Sequence, residues 1–139
     1  GVTFATPIYK GFSLNNATVR IDMAGRDVTN RLQLLLRRAG HIFSTSAEKE
    51  IVKSIKEKTC YIAFDPQKEE DELPNRDDPV TLAYKLPDGN KISFGPERFR
   101  APEILFSPHL IGSEHPSVAQ SVEYAITRSD IDMRQMLWS

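Results

Sequence analysis

The sequence predicts a mixed α/β fold, and three observations carry that prediction. Short segments of alternating polarity near the start read as strands, three amphipathic stretches read as helices, and a turn-rich hairpin signal lies past the middle. Strands and helices do not alternate regularly, so α/β and α+β both remain forms of the class. At 139 residues the length suits one ordinary domain or one lobe of something larger.

Residues 3–9 and 17–23 form the first pair of predicted strands. The second alternates cleanly, with Val19, Ile21 and Met23 on one face. Lys10-Gly11 and Asn15-Asn16 supply turn chemistry between them, so a hairpin is expected. Pro7 removes a ladder donor and favours an edge or a strand end. A helix is expected over 27–39, with Asp27 as N-cap, Val28, Leu32, Leu35 and Leu36 on one face, and Gly40 as the stop. A second helix is expected over 47–59, where Thr45 and Glu48 stand at capping-box spacing and Ile51 and Ile55 lie one turn apart. Residues 60–64 read as an apolar strand ended by Asp65-Pro66.

A short helix over 67–73 opens the most acidic stretch, since residues 65–80 hold seven acids against two bases. The rest of that stretch reads as a solvated loop. Residues 81–86 and 91–94, joined by Pro87-Asp88-Gly89-Asn90, give a strong hairpin signal. Gly95-Pro96-Glu97 opens a short helix that Pro102 ends. Ser117 and Gln120 mark the start of a third long helix over 117–127, with Val118, Val122, Ala125 and Ile126 on its inner face. Asp130 is placed to cap a last short helix running to Trp138.

Composition narrows the class of function. Eighteen basic and nineteen acidic side chains nearly cancel, which argues against a nucleic-acid partner held by phosphate neutralisation and against a polybasic membrane module. A 40% hydrophobic content beside 27% charged residues points to a globular chain. No apolar run approaches the length of a membrane span, and no signal-peptide pattern opens the chain. A single cysteine, Cys60, leaves no internal disulfide and no thiolate zinc cluster, and sets the expectation of a reducing compartment. The opening Gly1-Val2-Thr3, without an initiator Met, raises the expectation of an excised piece.

Chemistry concentrates in two places. Lys53, Lys56 and Glu57 share one face of the second helix. Taken alone the triple suits a solvated, ion-paired face. It also suits a nucleoside grip, with lysine stems along a base and a carboxylate accepting from ribose hydroxyls. Ala24-Gly25-Arg26-Asp27 precedes a helix, where a glycine permits close ligand approach and the helix end favours anions. A tight strand-to-helix turn explains the same residues. The chain has no P-loop pattern and no Gly-x-Gly-x-x-Gly. His41, His109 and His115 lack metal-ligand spacing and read as surface residues, and Cys60 reads as a small packed residue.

Several strings in order change the weight of these readings. They are Gly-Val-Thr, Pro-Ile-Tyr and Gly-Phe within 1–12, Ala-Gly-Arg-Asp at 24–27, and Ile-Lys-Glu-Lys-x-Cys-Tyr at 55–61. Leu-Pro-Asp-Gly at 86–89, Glu-Arg-Phe-Arg-x-Pro-Glu-x-Leu-Phe at 97–106 and Asp-x-Asp-x-Arg at 130–134 follow. Together they resemble the actin family over essentially the whole chain. Leu-Leu-Leu-Arg-Arg at 34–38, Asp-Pro-Gln-Lys-Glu at 65–69 and Phe-Arg-Ala-Pro-Glu at 99–103 are most similar to its centractin branch, the actin-related protein of dynactin. The acidic insertion over 73–78 is unlike conventional actin.

The resemblance implies part of an actin-like ATPase fold. Residues 24–113 would form the small outer lobe, subdomain 4, and residues 1–23 and 114–139 would be segments of the ribonuclease-H-like subdomain 3. It implies that Gly1 and Val2 close the second phosphate-binding loop, and that Gly25, Lys53, Lys56 and Glu57 line the adenosine pocket. Lys53 stands where conventional actin has arginine, keeping the charge and losing the planar fork. Phe4 stands where the family usually has a histidine near the attacking water, and a phenyl ring cannot hydrogen-bond water, so hydrolysis is expected to be slow.

The implied cofactor of the intact parent is ATP with Mg2+ or Ca2+, and the implied partners are actin-family subunits in a filament. The implied setting is the cytoplasm and cytoskeleton. A non-polymerising subunit of a nuclear chromatin-remodelling assembly is the alternative. By the same resemblance the first phosphate loop would lie before Gly1 and a glycine-rich adenosine segment after Ser139. The 139 residues alone are therefore expected to bind no nucleotide tightly and to self-associate through open strand edges at 3–23.

Overall fold

The computed structural model describes residues 1–75 and 84–139. The chain divides into two compact units, one made of Gly1–Gly25 with Leu105–Ser139 and the other of Arg26–Ile104. The boundaries expected at 24 and 113 stand beside these at 26 and 104.

In the first unit the expected hairpin is really two. β1 (Thr3–Ala5) pairs antiparallel with β4 (Val19–Ile21), Phe4 opposite Arg20. β2 (Ile8–Tyr9) pairs with β3 (Phe12–Ser13). Pro7 explains the split, because it cannot donate to a ladder and leaves the segment to break between β1 and β2. The tight turn between β2 and β3 has positive φ at both central residues, 49° at Lys10 and 82° at Gly11. That is the primed hairpin geometry whose twist matches the strands. A 3-10 turn at Asn15–Ala17 leads into β4.

α5 (Val118–Arg128) packs on β1 and β4, and α6 (Ile131–Trp138) packs on β2. Ala17, Val19, Ile21, Met23, Ala125 and Ile126 are buried in this unit. Ser117 caps α5 through a complete capping box with Gln120. The inner face of α5 differs from expectation at one position: Val122 is 45% exposed, while Ser121 is buried and its hydroxyl donates to Ser117 O at 2.8 Å. A serine that returns its hydroxyl to the preceding turn needs no other partner, so it can occupy the interior. Asp130 precedes α6, but its side chain makes no cap hydrogen bond.

The second unit is helical. α1 (Gly25–Arg38) begins two residues before the expected start, so Asp27 is a first-turn carboxylate rather than the N-cap. It still sits where the helix dipole favours an acid. α2 (Ser46–Thr59) is capped by Thr45, whose hydroxyl oxygen accepts from Glu48 N and donates to Glu48 Oε1 at 3.0 Å. Val28, Leu32, Leu35 and Leu36 of α1 and Val52 and Ile55 of α2 are buried, with Phe43, Phe94, Phe99 and Ile104.

The strand expected over 60–64 does not form, because its backbone finds no partner strand among the described residues. Tyr61 N donates instead to Arg98 O at 3.1 Å, only Ala63 is buried, and Ile62 and Phe64 are exposed. Asp65 caps α3 (Pro66–Glu72), with Pro66 in its first turn. β5 (Tyr84–Lys85) and β6 (Lys91–Ile92) form the described part of the later hairpin, with Gly89 at φ 90° in its turn. The expected strand residues 81–83 and the acidic residues 76–80 lie outside the described residues. α4 (Glu97–Arg100) then gives way at Pro102 to a 3-10 turn, since proline cannot continue the hydrogen-bond ladder.

Arg98 ties the second unit together. Its Nε donates to Thr59 O at 3.1 Å and its guanidinium lies 5.2 Å from the Tyr61 ring centre. Tyr61 stacks obliquely on Phe99 at 5.8 Å and donates its hydroxyl to Glu69 Oε1 at 2.8 Å. Arg100 pairs with Glu70. These bonds fasten α2, α3 and α4 to one another around the buried Phe99.

A basic cavity and its surroundings

The site residues expected from sequence fall into two sets. Gly1, Val2 and Gly25 belong to the first unit. There Gly1 lies so close to Ala24 that a Cβ on it would meet the Ala24 Cβ at 2.8 Å. Glycine is the residue that lets these two backbones approach. Thr3 Oγ1 donates to Met23 O at 2.6 Å, fastening the same turn just ahead of α1. Val2, 39% exposed, and Gly25 are both open to solvent. Phe4 is 61% exposed on β1.

Lys53 and Lys56 belong to the second unit, where α1 and α2 enclose a cavity of about 260 Å³. The start of α1 contributes Arg26 and Thr29, and one face of α2 contributes Lys49, Glu50, Lys53 and Lys56. Glu57 is exposed and does not line this cavity; among the described residues the lining carboxylate is Glu50, about two turns earlier on α2. Among the described residues the cavity thus holds four cationic side chains against one carboxylate. Among the described residues none of Arg26, Lys49, Lys53 and Glu50 takes part in an ion pair. The first turn of α1 adds the positive end of a 14-residue helix. Such a surface attracts anions.

Arg26 falls within the Ala24-Gly25-Arg26-Asp27 motif the sequence singles out, though without a role of its own; Thr29, Lys49 and Glu50 lie outside every motif so marked. The spacing of Lys49, Lys53 and Lys56, four and then three residues, puts all three on one helical face and could have revealed Lys49. Nothing local marks Thr29, and the place of both Arg26 and Thr29 in the cavity depends on which side of α1 meets α2.

Cys60 follows α2 and is half-buried. Burial pushes its thiol from the ordinary 9.0 up to about 11, against smaller lowering effects of the Thr59 hydrogen bond, Arg98 and Lys56. It is therefore a poor nucleophile at neutral pH. His109 and His115 are exposed and His41 is half-buried. Among the described residues no group of three His, Cys, Asp or Glu side chains gathers as a metal site, and no helix is long and apolar enough to cross a membrane.

Comparison with known proteins gives two findings. A family model described as Actin matches residues 1–139. An "Actin-like protein" of Neurospora crassa is 55% identical over 141 residues, a match that takes in 100% of this chain and 37% of that relative's length.

Proposed function

This chain belongs to the actin family, and on that premise we propose that the protein carrying it binds ATP with Mg2+ or Ca2+ and joins an actin-like filament with other actin-family subunits. The chain spans 37% of the length of the curated relative it matches, so each of these activities is assigned to the whole protein. The observation that carries the reading is the cavity where Lys53 and Lys56 meet the first turn of α1, since its donors and charge suit a polyanionic nucleotide. In this reading Lys53 and Lys56 hold the adenosine half by stem packing and hydrogen bonds, and Glu57, next to Lys56 on α2 and outside the cavity lining, accepts from ribose hydroxyls. Gly1 and Val2 approach the phosphates, and Gly25 opens the way to the start of α1. The divalent cation would take its oxygens chiefly from phosphates and water, as Mg2+ commonly does.

Within the family the strings at 34–38, 65–69 and 99–103 favour a centractin-like role in dynactin, with no nucleic-acid or membrane partner, in the cytoplasm and cytoskeleton. Titration of the full-length protein with Mg-ATP tests the binding. Lys56→Ala should weaken affinity about tenfold or more, the order of one lost charge-assisted contact. Equal affinity in the variant, or no binding by the unaltered protein, would refute the assignment. Sedimentation of the ATP-loaded protein tests assembly, and a species that stays monomeric at high concentration counts against the filament.

Phe4 favours a second reading. A ring at that position cannot orient water, which fits a subunit that holds ATP without turning it over and serves as an interaction module in a nuclear remodelling assembly. Phosphate release by the full-length protein and by Phe4→His separates the two: slow release that the histidine accelerates favours the second reading, and rapid release by the unaltered protein removes its support.

A further inference from the structure

Two of the cavity's four cations have no role in the nucleotide reading. Arg26 and Lys49 are exposed at the rim and unpaired among the described residues, on different helices, beside Lys53 and Lys56. Among the described residues Glu50 is the carboxylate that lines the cavity with four cations, so the lining carries a net positive charge. Unpaired cations this close repel one another, a cost to the fold that an arriving anion relieves. Exposed side chains of this kind gain little static binding energy, because water screens them, but they act at range on an approaching charge.

We infer that Arg26 and Lys49 are steering residues for an anionic nucleotide: they raise its association rate and select nucleotide over uncharged nucleoside, without holding the bound ligand. The inference rests on the ATP reading and extends it, since neither residue is among those the resemblance assigns. A metal–triphosphate complex keeps a net negative charge and is drawn to the cavity mouth. Adenosine carries none and feels no such pull. The physical signature is a rate effect that disappears with ionic strength, because the Debye length shrinks from about 30 Å at 0.01 M salt to about 3 Å at 1 M. A residue that contacts the bound nucleotide would instead change the dissociation rate at every salt concentration.

The test is stopped-flow association of a fluorescent ATP analogue with an intact triphosphate, on the full-length protein, at low and high salt. The double variant Arg26→Glu, Lys49→Glu should associate about tenfold or more slowly at low salt. The difference should close at high salt, with a dissociation rate within about twofold of the unaltered protein. The charge-keeping pair Arg26→Lys, Lys49→Arg should retain the fast rate, which separates charge from shape. Unchanged association at low salt, or a loss that persists at high salt, overturns the steering role while leaving ATP binding intact. Failure of the unaltered protein to bind the analogue overturns the ATP reading and this inference together.

Discussion

Cys60 shows how one residue's surroundings set its chemistry. The same burial that holds its thiol at about 11 gives folding a pH dependence at the alkaline end. In the unfolded chain the thiol ionises near its ordinary value, while the folded state resists ionisation. The stability contribution is complete below about pH 9 and is lost as pH rises towards about 11. Denaturant midpoints should fall across that window, and Cys60→Ala should flatten the fall. Alkylation by iodoacetamide should likewise be slow at pH 8 and keep accelerating towards pH 11. The sequence made Cys60 legible as a packed residue from its apolar neighbours, but the size of the effect is set chiefly by burial, a tertiary property, with Thr59 and then Arg98 and Lys56 opposing it.

At the level of elements, the links from Arg98 and Tyr61 to Thr59 and Glu69 give a direct stability test. Tyr61→Phe removes one half-buried hydrogen bond and should cost about 1 kcal/mol. Arg98→Ala loses the bond to Thr59 O and the contact over Tyr61, and should cost about 1–3 kcal/mol by chemical denaturation. The helices were the legible elements, because cap and period are local: Thr45 with Glu48, and Ser117 with Gln120, announce α2 and α5 within four residues. The segment at 60–64 was misread because apolar alternation cannot say whether a partner strand exists. Pro7 signals an edge or a strand end, but one strand over 3–9 is the sequence expectation, and the split into Thr3–Ala5 and Ile8–Tyr9 with a second, smaller hairpin at Lys10-Gly11 is not legible in it. The cavity was half legible. Lys53 and Lys56 could be placed on a helix face, but Arg26 and Thr29 reach them only through tertiary packing.

For the molecule as a whole, the family follows from a match across all 139 residues, which span 37% of the length of the matched relative. If the proposed ATP reading holds, the 139 residues alone should bind Mg-ATP more weakly than micromolar by calorimetry, because in that reading Lys53, Lys56 and Glu57 would supply only part of the ligand shell. Micromolar affinity would contradict this. The division into units has its own consequence in time. Arg26–Ile104 is one continuous stretch, whereas the first unit joins Gly1–Gly25 to Leu105–Ser139. A ribosome emits β1 and β4 long before α5, the helix they pack on, exists. These strands must wait through the whole synthesis of the helical unit with their apolar faces uncovered. Pulse-labelled hydrogen exchange during refolding should find α2 amides protected before those of β4 and α5, since the latter must close a far longer loop. Strands made ahead of the helical unit would then be sheltered after it, a natural point for a chaperone to hold the nascent chain.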